Sequence, residues 1–194
     1  MTYETLFPGF ARWEVINYMI KTFGYTSYLE IGVHSGRCFR QVECELKESV
    51  DIGHSPTYKM SSSDFFRKYP DKRYDIIFID ADHHKNSVLK DVAGSLEILN
   101  DGGTIVCHDV NPATEKHLNG GLCANAWEAF AELRMTRADL EVHTLPFDHL
   151  GIIRRGTQTL YEGPWERTWA FLSTHRETLM GQIGPADFLR IYAI

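Results

Sequence analysis

Residues 74–80 read YDIIFID, and the positions from Ile76 to Ile79 are apolar without alternation. Such a run is typical of a strand with both sheet faces covered, as in a parallel sheet. Residues 84–99 follow with apolar side chains at helical spacing, and residues 104–109 (TIVCHD) form another apolar stretch typical of a strand. This strand–helix–strand order predicts a parallel β-α-β unit at the centre of the fold.

The alternation of strand and helix continues on both sides of this unit. We predict helices at 10–22, 36–47, 61–69, 124–134 and 165–179, strands at 27–33 and within 47–53, and a closing hairpin of 140–145 with 151–155. The alternation predicts an α/β fold with a doubly wound, mostly parallel sheet. Because no repeat or linker interrupts it, we expect a single domain over residues 1–194, with a core at about 10–155 and a C-terminal helical segment at 160–194.

Composition narrows the class of protein. The chain has 194 residues, of which 43% are hydrophobic, and its formal charge of -6 comes without a basic cluster, so nucleic acid is not an expected partner. The four cysteines form no CxxC pair and are expected to be reduced thiols. No signal-peptide pattern opens the sequence, and no apolar stretch approaches the ~18 residues that cross a bilayer. We therefore expect a cytoplasmic protein with no membrane partner.

Polar residues follow the predicted strands at the points where the strands end. In doubly wound sheets, ligands bind outside the carboxyl ends of the strands. The residues concerned are Glu30, Gly32 and Gly36 after the first strand, Asp51 after the second, Asp80 and Asp82 after the third, and His108 and Asp109 after the fourth. We expect these side chains to meet at one face of the domain.

The first of these turns, residues 30–36, reads E-x-G-x-x-x-G. A dinucleotide fingerprint would read G-x-G-x-x-G, and the carboxylate of Glu30 would repel a pyrophosphate. S-adenosylmethionine (SAM) instead carries an ammonium and a cationic sulfonium, which a carboxylate attracts. Asp51 lies about 20 residues after Glu30, at the spacing of an acidic residue that accepts ribose hydroxyls. The pattern favours SAM over NAD, although the two glycines would also suit a plain tight turn.

Several segments together resemble class I SAM-dependent methyltransferases over about residues 10–155. They are YLEIGVHSG, VDIG, SSDFF, DIIFIDADHH, LNDGGTIVCHD and the tail to GIIRR. The similarity is greatest to the small O-methyltransferase group that includes macrocin-type sugar methyltransferases and caffeoyl-CoA or catechol O-methyltransferases. It implies a Rossmann-like fold and transfer of a methyl group from SAM to a small hydroxylated metabolite such as a sugar.

The resemblance also implies a cofactor site. The methionine end of SAM would contact the turn, the ribose would meet Asp51, and the adenine side would lie near the start of the helix at 61–69. The implied cofactor residues are Glu30, Gly32, Val33, Ser35, Gly36, Asp51, Ser63, Asp64 and Asp80. For Ser63 and Asp64, a plain helix cap explains the sequence equally well.

The metal-dependent members of that group imply Asp80, His108 and Asp109 as ligands of one divalent ion, such as Mg²⁺ or Mn²⁺. His108 stands where these relatives carry an acidic residue, and an imidazole shifts the preference toward Mn²⁺, Fe²⁺ or Zn²⁺. His83 stands where several relatives carry a lysine base, so we expect His83 or His108 to take the proton. A metal-free reaction uses the same two histidines. The alternative is that Asp82 caps the next helix and that His83 and His84 are exposed loop residues.

The remaining polar and aromatic residues receive weaker assignments. No role is assigned to five histidines, which are His34, His54, His117, His143 and His149. The loop at 111–121 is expected to govern specificity, with Asn119-Gly120-Gly121 able to move as a lid. Four aromatic residues (Tyr161, Trp165, Trp169 and Phe171) should pack on the domain or on a second subunit, so a homodimer is one of the arrangements considered.

The alternative functions are a SAM- or nucleotide-binding module without transfer activity and an NAD-dependent oxidoreductase, which the glycine spacing disfavours.

Overall fold

The computed structural model describes residues 1–53, 55–119 and 122–193, without the side chain of Asn119. The strands in this part of the chain are β1 (Ser27–Ile31), β2 (Leu46–Asp51), β3 (Tyr58–Lys59), β4 (Tyr74–Ile79), β5 (Leu99–Cys107), β6 (Leu140–Thr144) and β7 (Gly151–Arg155). The helices are α1 (Tyr3–Leu6), α2 (Arg12–Phe23), α3 (Arg37–Gln41), α4 (Ser62–Lys68), α5 (Lys85–Glu97), α6 (Glu115–Asn119), α7 (Trp127–Thr136), α8 (Trp169–Leu179) and α9 (Pro185–Tyr192).

The described strands form one seven-stranded sheet in the order β3-β2-β1-β4-β5-β7-β6. The pairs from β3 to β5 are parallel, and β7 pairs antiparallel with both β5 and β6. The chain moves outward from β1 through β2 to β3 and then returns to place β4 on the other side of β1. This reversal between β1 and β4 is the switch point at which doubly wound sheets bind ligands. The predicted α/β fold class and the closing hairpin are confirmed.

The unbroken apolar run in β4 serves two separate cores. Ile77 and Ile79 pack on one sheet face with Val88 and other residues of α5. Ile76 and Phe78 pack on the opposite face with residues of α2. Because successive side chains of a strand point to opposite faces, a strand covered on both sides is apolar over consecutive positions, as from Ile76 to Ile79.

Some predicted boundaries are wrong for physical reasons. The helix expected at 36–47 ends at Gln41, because pairing with β1 extends β2 back to Leu46. The strand expected at 104–109 begins at Leu99, so Gly102 and Gly103 lie inside β5, where the register with β4 shifts and Gly102 has φ of 73°. The helix expected from residue 165 begins at Trp169, because the side chain of Thr168 caps it.

The two ends of the chain add helices that periodicity did not reveal. α1 and α9 pack against each other, and Tyr3 and Phe188 make a ring contact with centroids 6.0 Å apart. The four C-terminal aromatic residues pack on the core of this same chain, which was one of the two arrangements expected for them.

The four cysteines are free thiols. Among the described residues, no helix combines the length and apolarity needed to cross a membrane.

Candidate functional site

A cavity of about 1090 Å³ opens at the carboxyl ends of β1, β2, β4 and β5. Most of the residues predicted for the site line it. They are Gly32, Ser35, Asp51, Ser63, Asp80, His83, His108 and Asp109. The strand-end rule therefore brings residues from four strands to one space, as the fold requires of a switch-point cavity.

The glycine turn brings the ends of β1 and β4 into close contact. Gly32 has φ of 86°, in the left-handed region. A Cβ atom at this position would lie 2.7 Å from the Cα of Ala81 and still closer to the carbonyl group of Asp80. A side chain at position 32 would thus push apart the two strands between which the cavity opens.

Four predicted cofactor residues lie outside the cavity lining: Glu30, Val33, Gly36 and Asp64. Glu30 is buried with 1% exposure, and its carboxylate accepts a hydrogen bond from the hydroxyl of Tyr28. Burial raises the pKa of Glu30 to about 7. Glu30 is therefore buried at the end of β1, outside the lining of the cavity. Gly36 borders a smaller neighbouring hollow of about 300 Å³, together with His34 and Ser35.

Asp51 lines the cavity at the end of β2. Its carboxylate accepts hydrogen bonds from the backbone N–H of His34, at 2.9 Å, and of Gly53, at 2.6 Å. These bonds join the end of β2 to the glycine turn after β1, which holds the carboxylate in place at the cavity wall.

The two residues predicted for the adenine side, Ser63 and Asp64, lie in different surroundings at the start of α4. Ser61 caps the helix, because its hydroxyl accepts a hydrogen bond from the Asp64 backbone N–H at 3.1 Å. Asp64 is 51% exposed and forms an ion pair with Arg67. Ser63 lines the cavity and Asp64 does not, and the helix cap is neither of them but Ser61.

The chemistry-bearing cluster is at the ends of β4 and β5. His108 Nδ1 lies 3.1 Å from a carboxylate oxygen of Asp80 and 3.1 Å from one of Asp109. His83 approaches the same two carboxylates, with Nε2 3.5 Å from Asp80 and Nδ1 3.5 Å from Asp109. Asp109 has φ of 57°, a left-handed conformation that turns the chain sharply directly after β5.

Asp82 bonds to the start of α5, although the N-cap position of that helix is His84. Asp82 accepts hydrogen bonds from the backbone N–H of His84 and from the hydroxyl of Ser87, so it holds the first turn of α5. The side chain of His84 is 73% exposed, whereas that of His83 is 21% exposed and faces the cavity. The loop alternative therefore describes His84 and not His83.

Two charged residues that sequence reasoning missed complete the cluster. Arg12, the first residue of α2, lies with Nη1 3.6 Å from Asp80 and against Nε2 of His108. Asp148, in the turn between β6 and β7, has one oxygen 3.4 Å from His108 Nε2 and accepts the Arg12 backbone N–H at 2.7 Å. Neither residue follows a parallel strand, so the rule that found the others could not find them.

The charges of this cluster shift the acidities of its members. Burial would raise the pKa of Asp80, but the hydrogen bond to His108, the nearby ring of His83 and the charge of Arg12 hold it below its usual range. Burial alone would lower the pKa of His108, but Asp109, Asp148 and Asp80 raise it to about 11. The Arg12 guanidinium against Nε2 opposes that rise, yet three carboxylates outweigh one cation.

The donor set of the cluster fits a divalent cation. Ligand atoms of Asp80, His83 and Asp109 lie within 4.8 Å of one another. The Nε2 atom of His83 is buried and has no hydrogen-bond partner within the described residues. The predicted ligand set of Asp80, His108 and Asp109 stays a prediction, and the geometry also groups His83 with the same two aspartates. Two carboxylates and one imidazole suit Mg²⁺, Mn²⁺ or Zn²⁺.

Three of the residues singled out from the sequence lie outside the described residues, and a fourth, Asn119, is described without its side chain. His54 is among them, and so are Gly120 and Gly121 of the expected lid. The expected lid and the expected absence of a role for His54 stay predictions.

Comparison with known proteins agrees with the fold. Residues 45–110 match the methyltransferase-domain family. The O-methyltransferase from Bacillus cereus, solved in complex with S-adenosylhomocysteine (SAH), shares the fold with a TM-score of 0.58 at 14% identity, over 75% of this chain and 80% of that one. TomG from Streptomyces achromogenes, an O-methyltransferase solved with SAM, has a TM-score of 0.53 at 14% identity, over 79% and 85%.

A third structure, SAH-bound methyltransferase PaMTH1 from Podospora anserina, has a TM-score of 0.51 at 22% identity, over 75% and 78%. No curated protein matches the chain. The domain match and the shared fold together confirm the resemblance to methyltransferases.

Proposed function

We propose that this chain is a SAM-dependent O-methyltransferase acting on a small hydroxylated metabolite. One observation carries the proposal. A single cavity contains both the glycine turn with Asp51, which suits the cofactor, and the cluster of Asp80, His83 and Asp109, which suits the chemistry. The match to a methyltransferase domain over residues 45–110 supports the same reaction class.

The shape of the cavity suggests where the parts of SAM lie. The methionine end would rest against Gly32 and Ser35, where the turn leaves room for backbone contact. The ribose hydroxyls would meet Asp51, and the adenine would extend toward Ser63. Ligand pockets span about 300–1000 Å³, so a cavity of about 1090 Å³ has room for SAM together with a small acceptor.

Charge favours a cationic cofactor at this place. Asp80 lines the cavity, and its pKa is held below its usual range, so it is ionised at neutral pH. Glu30 lies below the turn, buried, and a nearby sulfonium would favour its charged form. A pyrophosphate would meet the same carboxylates with repulsion, which disfavours NAD.

His83 is the better placed of the two candidate bases. Both rings approach carboxylates, but the contacts of His83 are longer, at 3.5 Å, and its Nε2 atom makes no hydrogen bond within the described residues. His108 contacts Asp80 at 3.1 Å, and its Nε2 atom lies against Arg12. In the reaction, the acceptor oxygen forms a bond to the methyl carbon as the bond from carbon to sulfur breaks. The hydroxyl proton passes to His83, and the sulfonium becomes a neutral thioether, so charge and atoms balance. His108 then orients the carboxylates of Asp80 and Asp109.

Asp80, His83 and Asp109 are the residues that would hold a divalent ion, and a bound ion would lower the pKa of the acceptor hydroxyl. Arg12 already supplies a positive charge beside Asp80, which suits a reaction without a metal. With an ion bound, the ring of His83 would be a ligand and would not serve as the base; without one, His83 takes the proton.

Paired histidine variants test the proposal. His83→Gln should lose nearly all methyl transfer from labelled SAM to a panel of hydroxylated sugars and phenols, while SAH binding by calorimetry stays unchanged. His84→Gln, one residue along and exposed, is the matched control and should keep both properties. If SAH fails to bind the unmodified chain, or if NAD binds in its place, the proposal is wrong. Binding of SAH without transfer to any acceptor would instead indicate a SAM-binding module.

A further inference from the structure

A second cluster of metal-binding side chains lies next to the cavity but does not line it. Ligand atoms of His117, Cys123 and His149 come within 4.8 Å of one another. His117 is on α6, Cys123 precedes α7, and His149 is in the turn between β6 and β7. Three separate segments of the chain thus converge at this point.

The two imidazoles are oriented as ligands would be. Nδ1 of His149 lies 3.1 Å from the backbone carbonyl oxygen of Asn111 and donates to it. Nε2 of the neutral ring therefore carries the lone pair, an arrangement that commonly orients a metal-bound histidine. Nδ1 of His117 is buried and has no hydrogen-bond partner within the described residues. A buried polar atom without a partner costs free energy, which a bound cation would recover.

The thiol lies on the side of this cluster that faces the cavity residues. Cys123 is buried, and its Sγ is 3.7 Å from one carboxylate oxygen of Asp109. The other oxygen of Asp109 points to His83 and His108. Asp109 therefore stands between the two clusters and offers an oxygen to each.

The backbone around the cluster is strained. Positive φ angles occur at Asp109 (57°), Ala124 (40°), Asp148 (45°) and His149 (52°). Such conformations cost free energy in residues other than glycine and persist where surrounding contacts hold them. Bonds from several segments to one ion would provide such contacts.

We propose that His117, Cys123 and His149 bind one thiophilic divalent cation, by preference zinc, at a site separate from the catalytic cluster. Thiolate and imidazole are donors that zinc binds, and Oδ1 of Asp109 lies 3.7 Å from the Cys123 Sγ beside them. Binding releases the thiol proton to solvent as the zinc–sulfur bond forms. The ion would fix the segment that contains Leu122 and the turn that contains Asp148, both of which border the catalytic cluster.

Elemental analysis and cobalt spectroscopy of the purified full-length chain test this site without an activity assay. Elemental analysis should find about one zinc per chain at this site, and Asp80→Asn should keep that zinc even if it loses an ion from the catalytic cluster. After exchange with Co²⁺, a sulfur-to-cobalt charge-transfer band should appear. Cys123→Ser should abolish this band, and His149→Gln should weaken Co²⁺ binding by more than the ~10–100-fold that loss of an outer-shell partner costs. Cys44→Ser, a partly exposed thiol elsewhere, is the matched control and should keep the band.

Three results would overturn the proposal. They are the absence of a charge-transfer band in the unmodified chain, a band that persists in Cys123→Ser, and a metal content that Asp80→Asn alone removes. None of these readouts depends on methyl transfer, so the site stands or fails separately from the proposed function. His117→Gln is a second variant that replaces a partly buried side chain, in case Cys123→Ser does not fold.

Discussion

Replacing Gly32 with alanine is the perturbation whose effect the structure defines most closely. Two costs arise at this position. The residue has φ of 86°, which alanine adopts poorly, and its new Cβ would lie 2.7 Å from the Cα of Ala81 and closer to the Asp80 carbonyl. The atoms in the way are backbone atoms, so no side chain can rotate to relieve the clash.

The two costs can be separated with a second glycine. Gly24 has φ of 66°, and a Cβ there would meet nothing within 4 Å. Gly24→Ala should therefore show the conformational cost alone, about 1–2 kcal/mol. Gly32→Ala should add the cost of moving the end of β1 away from β4, for a total of about 3–5 kcal/mol, as in other strained or overpacked sites.

Urea unfolding measures these two free energies, and calorimetry with SAH measures the consequence for the cavity. We expect Gly24→Ala to bind SAH as the unmodified chain does. Gly32→Ala should lose binding even at temperatures where it stays folded, because the turn borders the cavity. Equal destabilisation by the two substitutions, with SAH binding intact in both, would refute the reasoning.

Three further predictions concern charges. Asp51→Asn should weaken SAH binding by about 1.5–3 kcal/mol, which is the value of a charge-assisted hydrogen bond. Replacing the exposed Asp64 in Asp64→Asn should leave SAH binding unchanged. If calorimetry finds the reverse, the ribose binds elsewhere. Burial, together with the charges of Arg134 and Arg190, lowers the pKa of His143 from 6.5 to about 4. Between these two pH values the folded chain binds fewer protons than the unfolded chain, so the free energy of unfolding falls as the pH falls. Urea unfolding should show the free energy of unfolding decrease by about 2 kcal/mol from about pH 7 to about pH 5. His143→Gln should remove this decrease, and a variant with the same pH dependence as the unmodified chain would contradict the prediction. Arg12→Met should tighten Mn²⁺ binding, because Asp80 loses a competing cation, and weaker Mn²⁺ binding in this variant would show that Arg12 supports the metal site.

Much of the fold follows from local pattern. The run in β4 is apolar at every position because both sheet faces are covered, and this alone places β4 centrally. The rule that strand ends meet at one edge then brings Asp51, Asp80 and His108 to the same cavity. These inferences succeed because they depend on the period and direction of strands, which are set within a few residues.

The rest depends on tertiary contacts that no local pattern shows. Arg12 and Asp148 are far apart in the chain and reach the cluster from α2 and from the last hairpin turn. His117 and His149 were assigned no role because each is an isolated histidine in sequence. Their proximity, with ring centroids 4.6 Å apart, arises only when the hairpin turn folds over the loop after β5.

The claim that the cavity at the switch point binds SAM is tested most directly by a crystal structure of the chain with SAH. The account predicts SAH in this cavity, with the ribose hydroxyls on Asp51, the methionine end against Gly32, and the sulfur facing the cluster of Asp80 and His83. SAH bound elsewhere, or bound with its ribose away from Asp51, would contradict the account.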